Sequence, residues 1–443
     1  MNHIVKIAVA ALVPLMSVSV YAGNDNAKNF KVPRWSADEV RSVITQVNDT
    51  WQNSNPDPGR SFWDNAVYHT GNMEAYALLK NENWRSYSLK WAEQNKWMGA
   101  READPAKWKY KNYGEDMQHV LFGDWQICFQ TYLDLYFADK GYDYSAVLKG
   151  QTDTYHTKFG APASDQKIAR ALEVMDYEVK SDATDYWWWA DALYMVMPVM
   201  SKLYRLTGDE AYLDKMYANW QYANNIMYDN ETGMYFRDGK YVFPKHATDN
   251  GIKDFWARGD GWVMAAFARI LRDMPNNYKH REEFVQYYKR LAKAIVDCQQ
   301  PEGYWTRSLL DPHQAPGRET SGTALNCFSL LWGINNGILS EKEYLPSALK
   351  AWEYLSMIAL QPDLTVGYVQ PIGEKAIPGQ VVDKTSVANF GTGAFLLAGC
   401  EYVRLMENTR LSAVKKFNSN NKKKVKKLES KGFYVGVSTG VAN

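Results

Sequence analysis

Four short segments combine ionisable side chains with tryptophan or glycine. They are Phe122-Gly123-Asp124-Trp125, Trp187-Trp188-Trp189-Ala190-Asp191, Phe255-Trp256-Ala257-Arg258-Gly259-Asp260-Gly261-Trp262, and the run from Asp311-Pro312-His313 to Glu319-Thr320-Ser321-Gly322. Carboxyl groups serve as general acids or bases, arginine grips a carboxylate with two parallel hydrogen bonds, and indole faces stack on the C–H surfaces of sugars. Together these are the parts of a carbohydrate cleft. Each residue also has a plainer use. Asp124 and Asp191 suit helix N-caps, Arg258 can pair with Asp254 or Asp260, and consecutive tryptophans pack in cores. Gly259 and Gly261 permit a tight turn. His246 and His313 are loop histidines, and residues 311–319 read as a rigid Pro/Gly loop. Chemistry is favoured over these uses only if the four segments converge, so the elements that carry them decide the matter.

Helical periodicity dominates the chain. Trp125, Cys128, Phe129, Tyr132 and Tyr136 share one helical face, and so do Leu193, Met197, Met200 and Tyr204. Pro198 predicts a kink in the second helix and Gly208 its end. Strand-like alternation is confined to residues 233–242 and 365–369. Helix openings near Trp63, Asp124, Asp191, Gly261, Ser321 and Gly391 recur at intervals of roughly 60–70 residues. More amphipathic return helices follow, among them residues 283–299 and 341–360. Six helical hairpins at a near-constant period predict an all-α (α/α)6 barrel, a toroid over residues 33–408, with an open solenoid as the alternative. Small residues such as the run Gly391-Thr392-Gly393-Ala394 let inner helices approach closely. In a closed ring the loops before the inner helices meet at one end, which brings Asp124, Asp191, Arg258 and Glu319 together.

Composition narrows the function classes. The 443 residues carry a net charge of +1, but residues 414–431 hold eight Lys and one Glu; removing these and Lys6 leaves a body of −7. An acidic body is a poor nucleic-acid binder. The 17 Trp and 30 Tyr suit a helical core and also a sugar cleft. Residues 1–22 read as a secretory signal peptide cleaved after Ala22, which predicts a periplasmic or secreted protein. No later stretch is long and apolar enough for stable membrane insertion. Residues 409–443 form a basic tail expected to be flexible. Cys128, Cys298, Cys327 and Cys400 are widely spaced in apolar contexts and are expected as buried free thiols. There is no HExxH, P-loop or strand-borne GxGxxG to support zincin or nucleotide chemistry.

The same segments resemble the unsaturated uronyl hydrolases of glycoside hydrolase families 105 and 88, and most closely the unsaturated rhamnogalacturonyl group. The resemblance lies in Trp-Trp-Trp-Ala-Asp-Ala-Leu-Tyr-Met at 187–195, Phe-Trp-Ala-Arg-Gly-Asp-Gly-Trp-Val at 255–263, Leu-Leu-Asp-Pro with Glu-Thr-Ser-Gly-Thr-Ala at 309–324, and Met-Tyr-Phe-Arg-Asp at 234–238. It implies an (α/α)6 barrel and an exo-acting enzyme on oligosaccharides that end in a 4,5-unsaturated uronic acid. It also implies protonation at C4, water addition at C5, and release of the neighbouring sugar from the resulting hemiketal. In that scheme Asp191 matches the general acid/base and Asp124 the second active-site Asp. Trp189, Trp256, Arg258, Trp262, Asp238 and His313 are the candidate substrate contacts, with Arg258 favoured for the uronate carboxylate. Asp260 stands where relatives usually carry Asn, and Asp238 where many carry His. Neither step calls for a metal or organic cofactor, so none is expected. Competing readings are a polysaccharide lyase or an inverting glycosidase on the same toroid, and a non-catalytic carbohydrate-binding protein.

Overall fold

The computed structural model describes residues 35–141 and 165–429, with side chains to residue 409. The leader at 1–22 lies outside the described residues. Six helices are wrapped by protein on nearly every side: α2 (Trp63–Leu79), the broken pair α4 (Gly123–Gln126) and α5 (Cys128–Asp139), α7 (Ala190–Thr207), α9 (Ala257–Asp273), α11 (Thr320–Asn335) and, over its residues 390–405, α13 (Asn389–Glu429). Every residue of α9 is buried, as expected for an element without a solvent face. The outer helices are amphipathic: α1 (Ala37–Ser54), α3 (Glu82–Gln94), α6 (Gln166–Lys180), α8 (Ala211–Met227), α10 (Arg281–Asp297) and α12 (Glu341–Tyr354). Along α10, Phe284, Tyr288, Leu291 and Ile295 form the buried stripe. Sequence and structure agree on the inner helix starts to within four residues.

Each inner helix packs on the next, and α13 packs on α2, so the ring is closed. The solenoid alternative is therefore excluded. Closure needs two backbones nearly in contact. A Cβ at Gly71 would lie 2.3 Å from the Gly393 carbonyl oxygen, and one at Gly393 would lie 2.5 Å from that of Val67. Only glycine permits this approach. The sixth hairpin is assembled from distant parts of the sequence, because α13 takes α1 as its outer partner. An Arg41–Glu407 ion pair and a hydrogen bond from the Tyr402 hydroxyl to Trp35 O (3.1 Å) fasten it. A capping box between Ser36 and Glu39 starts α1.

Local expectations divide. Gly208 closes α7 in the left-handed conformation, and helix α7 runs continuously through Pro198. The strand-like stretches yield isolated bridges only, Tyr228 with Tyr235, Trp189 with Asp238 and Leu360 with Val366. All four cysteines are free thiols, with Cys298 partly exposed. The basic tail begins as a continuation of α13, whose backbone stays helical to Glu429, and residues 430–443 lie outside the described residues. Among the described residues, no helix is long and apolar enough to cross a membrane.

Buried ion pairs tie the inner helices together near their C-terminal ends. Glu74 of α2 meets Arg272 of α9 at 2.9 Å and Arg404 of α13 at 2.6 Å, while Arg205 of α7 meets Asp273 of α9 at 2.8 Å. Burial disfavours the Glu74 charge, but Arg404, Arg272 and Arg269 hold its carboxyl well below the usual glutamate range. Removing one partner of such a group leaves an uncompensated buried charge.

The glycine contact makes a direct prediction. Gly393→Ala should destabilise the fold by about 1–3 kcal/mol, because its methyl group presses on main chain that has nowhere to go. Urea denaturation measures this, and an unchanged midpoint would mean that the two helices can part at no cost.

Candidate active site

The rim of the ring is built by a positional rule. The second residue of each inner helix is Asp64, Asp124, Asp191, Arg258, Ser321 and Phe390 in order around the barrel. The residues before four of these helices are aromatic N-caps, Phe62, Phe122, Trp189 and Trp256, and none makes a side-chain capping bond. Asp124 and Asp191 are therefore not N-caps. They are the second residues of their helices, two positions after the aromatic N-caps.

Burial is the leading cause of their altered acidity. Desolvation lifts Asp124 well above the usual aspartate range, Asp191 raises it further by like-charge repulsion, and Arg237 opposes both. Asp191 is also raised by burial, against the pull of Arg237 and Arg258. Arg237 Nε lies 3.3 Å from Asp191 Oδ2, yet neither atom has a hydrogen-bond partner. This is a charge contact without hydrogen-bond alignment, which leaves Asp191 able to keep a proton. Asp64 is likewise raised by desolvation, with Arg60 opposing.

A cavity of about 480 Å³ has Tyr113, Phe122, Trp188, Trp189, Arg237, Asp238, Lys240 and Glu374 among its lining residues; Arg237 lines it, whereas Asp64, Asp124 and Asp191 do not. Trp189 stacks on Phe122 with ring centres 4.8 Å apart and leans on Trp188 at 4.5 Å. The floor is brought together by a short main-chain pairing between Trp189 and Asp238, in which Ala190 N–H donates to Arg237 O at 2.7 Å. This pairing carries the segment 234–238 to the start of α7.

Several expected contacts have other work. Arg258 is buried and donates from Nη1 to Gln370 O (2.7 Å) and from Nη2 to Pro371 O (3.0 Å), with its guanidinium over the rings of Trp256 and Phe390. It anchors the loop that begins at residue 371 instead of facing the cavity. Burial pulls it down to about 10, against Glu319 and Asp191, so it stays charged near neutrality. Trp256 helps, donating from Nε1 to Gln370 Oε1 at 2.9 Å. Trp262 is buried one turn deeper, with its ring 4.8 Å from Tyr194. Glu319 caps α11, accepting from the Ser321 and Gly322 N–H groups, and also accepts from Gln370 N–H. His313 is exposed on its loop and does not line the cavity. The residues missed in the sequence are Arg237, Lys240 and Glu374. Arg237 lies inside a quoted segment, and an acidic body that binds an anion requires such a cation.

The family model described as Glycosyl Hydrolase Family 88 matches residues 35–406. The chain belongs to glycosyl hydrolase family 88. A solved family 88 glycosyl hydrolase from Bacteroides vulgatus is 52% identical, with 84% of this chain and all of that one covered and a TM-score of 0.77. A structure described as a polysaccharide lyase is 56% identical, covering 84% of this chain and 98% of that one, with a TM-score of 0.76. An unsaturated 3S-rhamnoglycuronyl hydrolase of Formosa agariphila is 39% identical over 231 residues, 51% of this chain and 60% of that protein. The match thus spans about three fifths of that curated relative.

Within family 88, the two departures from the expected pattern are explained by their surroundings. Asp238, in the place of a His, accepts from Arg237 Nη1 and from Lys240 N–H, both at 2.7 Å, and so fixes the cation beside Asp191. Asp260, in the place of an Asn, accepts from Tyr235 N–H at 2.8 Å. Burial lifts it well above the usual aspartate range, and a protonated carboxyl has the shape of the carboxamide it replaces. No group of three His, Cys, Asp or Glu side chains suited to a metal is present among the described residues.

The protonation of Asp260 can be measured. A carboxyl raised in the folded state binds its proton more tightly than in the unfolded chain, so wild-type stability falls as pH rises above the unfolded value, until the folded value is reached. Asp260→Asn has no such loss. Its stability relative to wild type should improve by about 1.4 kcal/mol per pH unit from pH 4 upward. A pH-independent difference in denaturation midpoints would show that Asp260 is ionised.

Proposed function

We propose that the protein is an unsaturated uronyl hydrolase, acting from the non-reducing end on oligosaccharides that carry a 4,5-unsaturated uronic acid. One observation carries this reading: Asp191, raised by burial, is held beside Arg237, and Arg237 lines an aromatic-walled cavity. A carboxyl raised by burial is suited to the addition of H⁺ to C4 of a vinyl ether. The resulting cation at C5 takes a water molecule, whose proton returns to Asp191. The hemiketal then opens and the glycosidic bond breaks. Asp124, raised by burial and by Asp191, donates a hydrogen bond to the sugar. Trp188 and Trp189 stack on its C–H faces. Membership of family 88 and the rhamnoglycuronyl hydrolase relative support this reading. The sequence-level leader adds export to the periplasm or beyond, where such oligosaccharides are met.

A second reading is β-elimination, favoured by the 56% identical relative described as a polysaccharide lyase. A lyase removes the C5 proton and expels the group at C4, creating the double bond instead of consuming it. The tyrosine at this cavity is poorly suited to be that base. Burial, Glu115 and Asp124 all push the Tyr113 hydroxyl up, away from ionisation.

Absorbance near 235 nm separates the two. Loss of signal on lyase-treated uronic-acid polysaccharide is expected, and Asp191→Asn should slow it by roughly 10²–10⁴-fold. A rise on uncleaved substrate would establish elimination, and full activity in Asp191→Asn would remove Asp191 as the acid. Arg237 favours the ionised form of Asp191, so Arg237→Gln should raise the acid's pKa. The alkaline limb of the kcat/KM profile should then move to higher pH, and a shift to lower pH would contradict the assignment.

A further inference from the structure

Arg237 is shared among three carboxyl groups. It lies 3.3 Å from Asp191, 2.7 Å from Asp238 and 3.3 Å from Glu374. Glu374 also accepts from Lys240 Nζ at 3.2 Å and from the Tyr241 hydroxyl at 2.7 Å. Burial disfavours its charge, yet Tyr241, Lys240 and Arg237 hold its carboxyl below the usual glutamate range, so it is ionised. Arg237 and Lys240 face Asp238 and Glu374 at this wall of the cavity, two cations against two carboxyl groups. An entering uronate adds one negative charge beside Lys240 and Glu374, and exchange with one of the carboxylates already there keeps the charge balance.

The structure identifies which. The Asp238 side chain is 2% exposed and the Asp191 side chain 14%, while that of Glu374 is 44% exposed. Glu374 rides on a span of three residues between fixed points. Residues 370 and 371 are held by Arg258, and Lys375 O accepts from Gln370 Nε2 at 2.9 Å. A Cβ added at Gly373 beside it would make only ordinary contacts, 3.7 Å from Pro371 O and 4.0 Å from Gln370 Nε2. The side chain can swing out while the loop keeps its anchors.

We propose that Glu374 is a placeholder for the substrate carboxylate: it occupies, between Arg237 and Lys240, the seat that the uronate takes on binding. This rests on the hydrolase reading for the identity of the ligand. Binding then exchanges one carboxylate for another, and Glu374 sets how strongly the site discriminates between charged and uncharged sugars. It also explains how an acidic body binds an anion, with the cations kept satisfied until the anion arrives.

The probe is glucuronate, titrated calorimetrically into the full chain at low salt, with glucose as the uncharged control. Glu374→Gln keeps the size of the side chain and its bond with Tyr241 but removes the competing charge. Glucuronate should bind this variant about 3- to 10-fold more tightly than wild type, with glucose unaffected, and KM for an unsaturated disaccharide should fall by a similar factor. Tyr241→Phe loosens Glu374 without removing its charge, so it should give a much smaller change. A merely structural Glu374 predicts the opposite, weaker glucuronate binding and a raised KM in both variants. Unchanged or weaker binding in Glu374→Gln overturns the placeholder even if wild type is active. Tighter binding in a protein that turns over no unsaturated substrate would keep the placeholder and reject the hydrolase reading.

Discussion

The near-contact of main chain between α2 and α13, at Gly71 and Gly393, is the constraint on which the rest of the molecule depends. It closes the ring, and closure alone fixes six helix starts around a common rim. An open array would splay the same residues along a concave face. Because α1 becomes the outer partner of α13, the beginning and end of the barrel sequence are fastened at one seam. The seam leaves the rim uninterrupted.

The two ends of the inner helices then treat carboxyl groups in opposite ways. Near the C-terminal ends, Glu74 and Asp273 are surrounded by guanidinium and ammonium groups and are held ionised. Near the N-terminal ends, Asp64, Asp124 and Asp191 are desolvated with too little positive charge to compensate, and all three are raised. A helix N-terminus favours an anion by only a fraction of a kcal/mol to a few, and burial outweighs it. One end thus uses ion pairs to join helices, while the other keeps protons available for chemistry.

Arg237 links this electrostatic design to the substrate. It reaches Asp191, Asp238 and Glu374 from a short extended segment that pairs with the start of α7. Arg258, although on the rim, is used to anchor the 371 loop through Gln370 and Pro371. Arg237 thus lines the cavity, while Arg258 holds the main chain of its wall.

Much of this was written in the chain itself. The recurrence of helix openings follows from local periodicity and capping, so it survives in the sequence, and with it the barrel and the rim positions of Asp124 and Asp191. Side-chain employment does not survive in that way. Whether Arg258 faces solvent or two carbonyls depends on residues 112 and 113 positions further along. Whether Asp260 carries a charge depends on how completely the ring buries it, and Glu374 reaches Arg237 across 137 residues. Periodicity is a property of neighbours, whereas desolvation and long-range pairing exist only once the ring has closed.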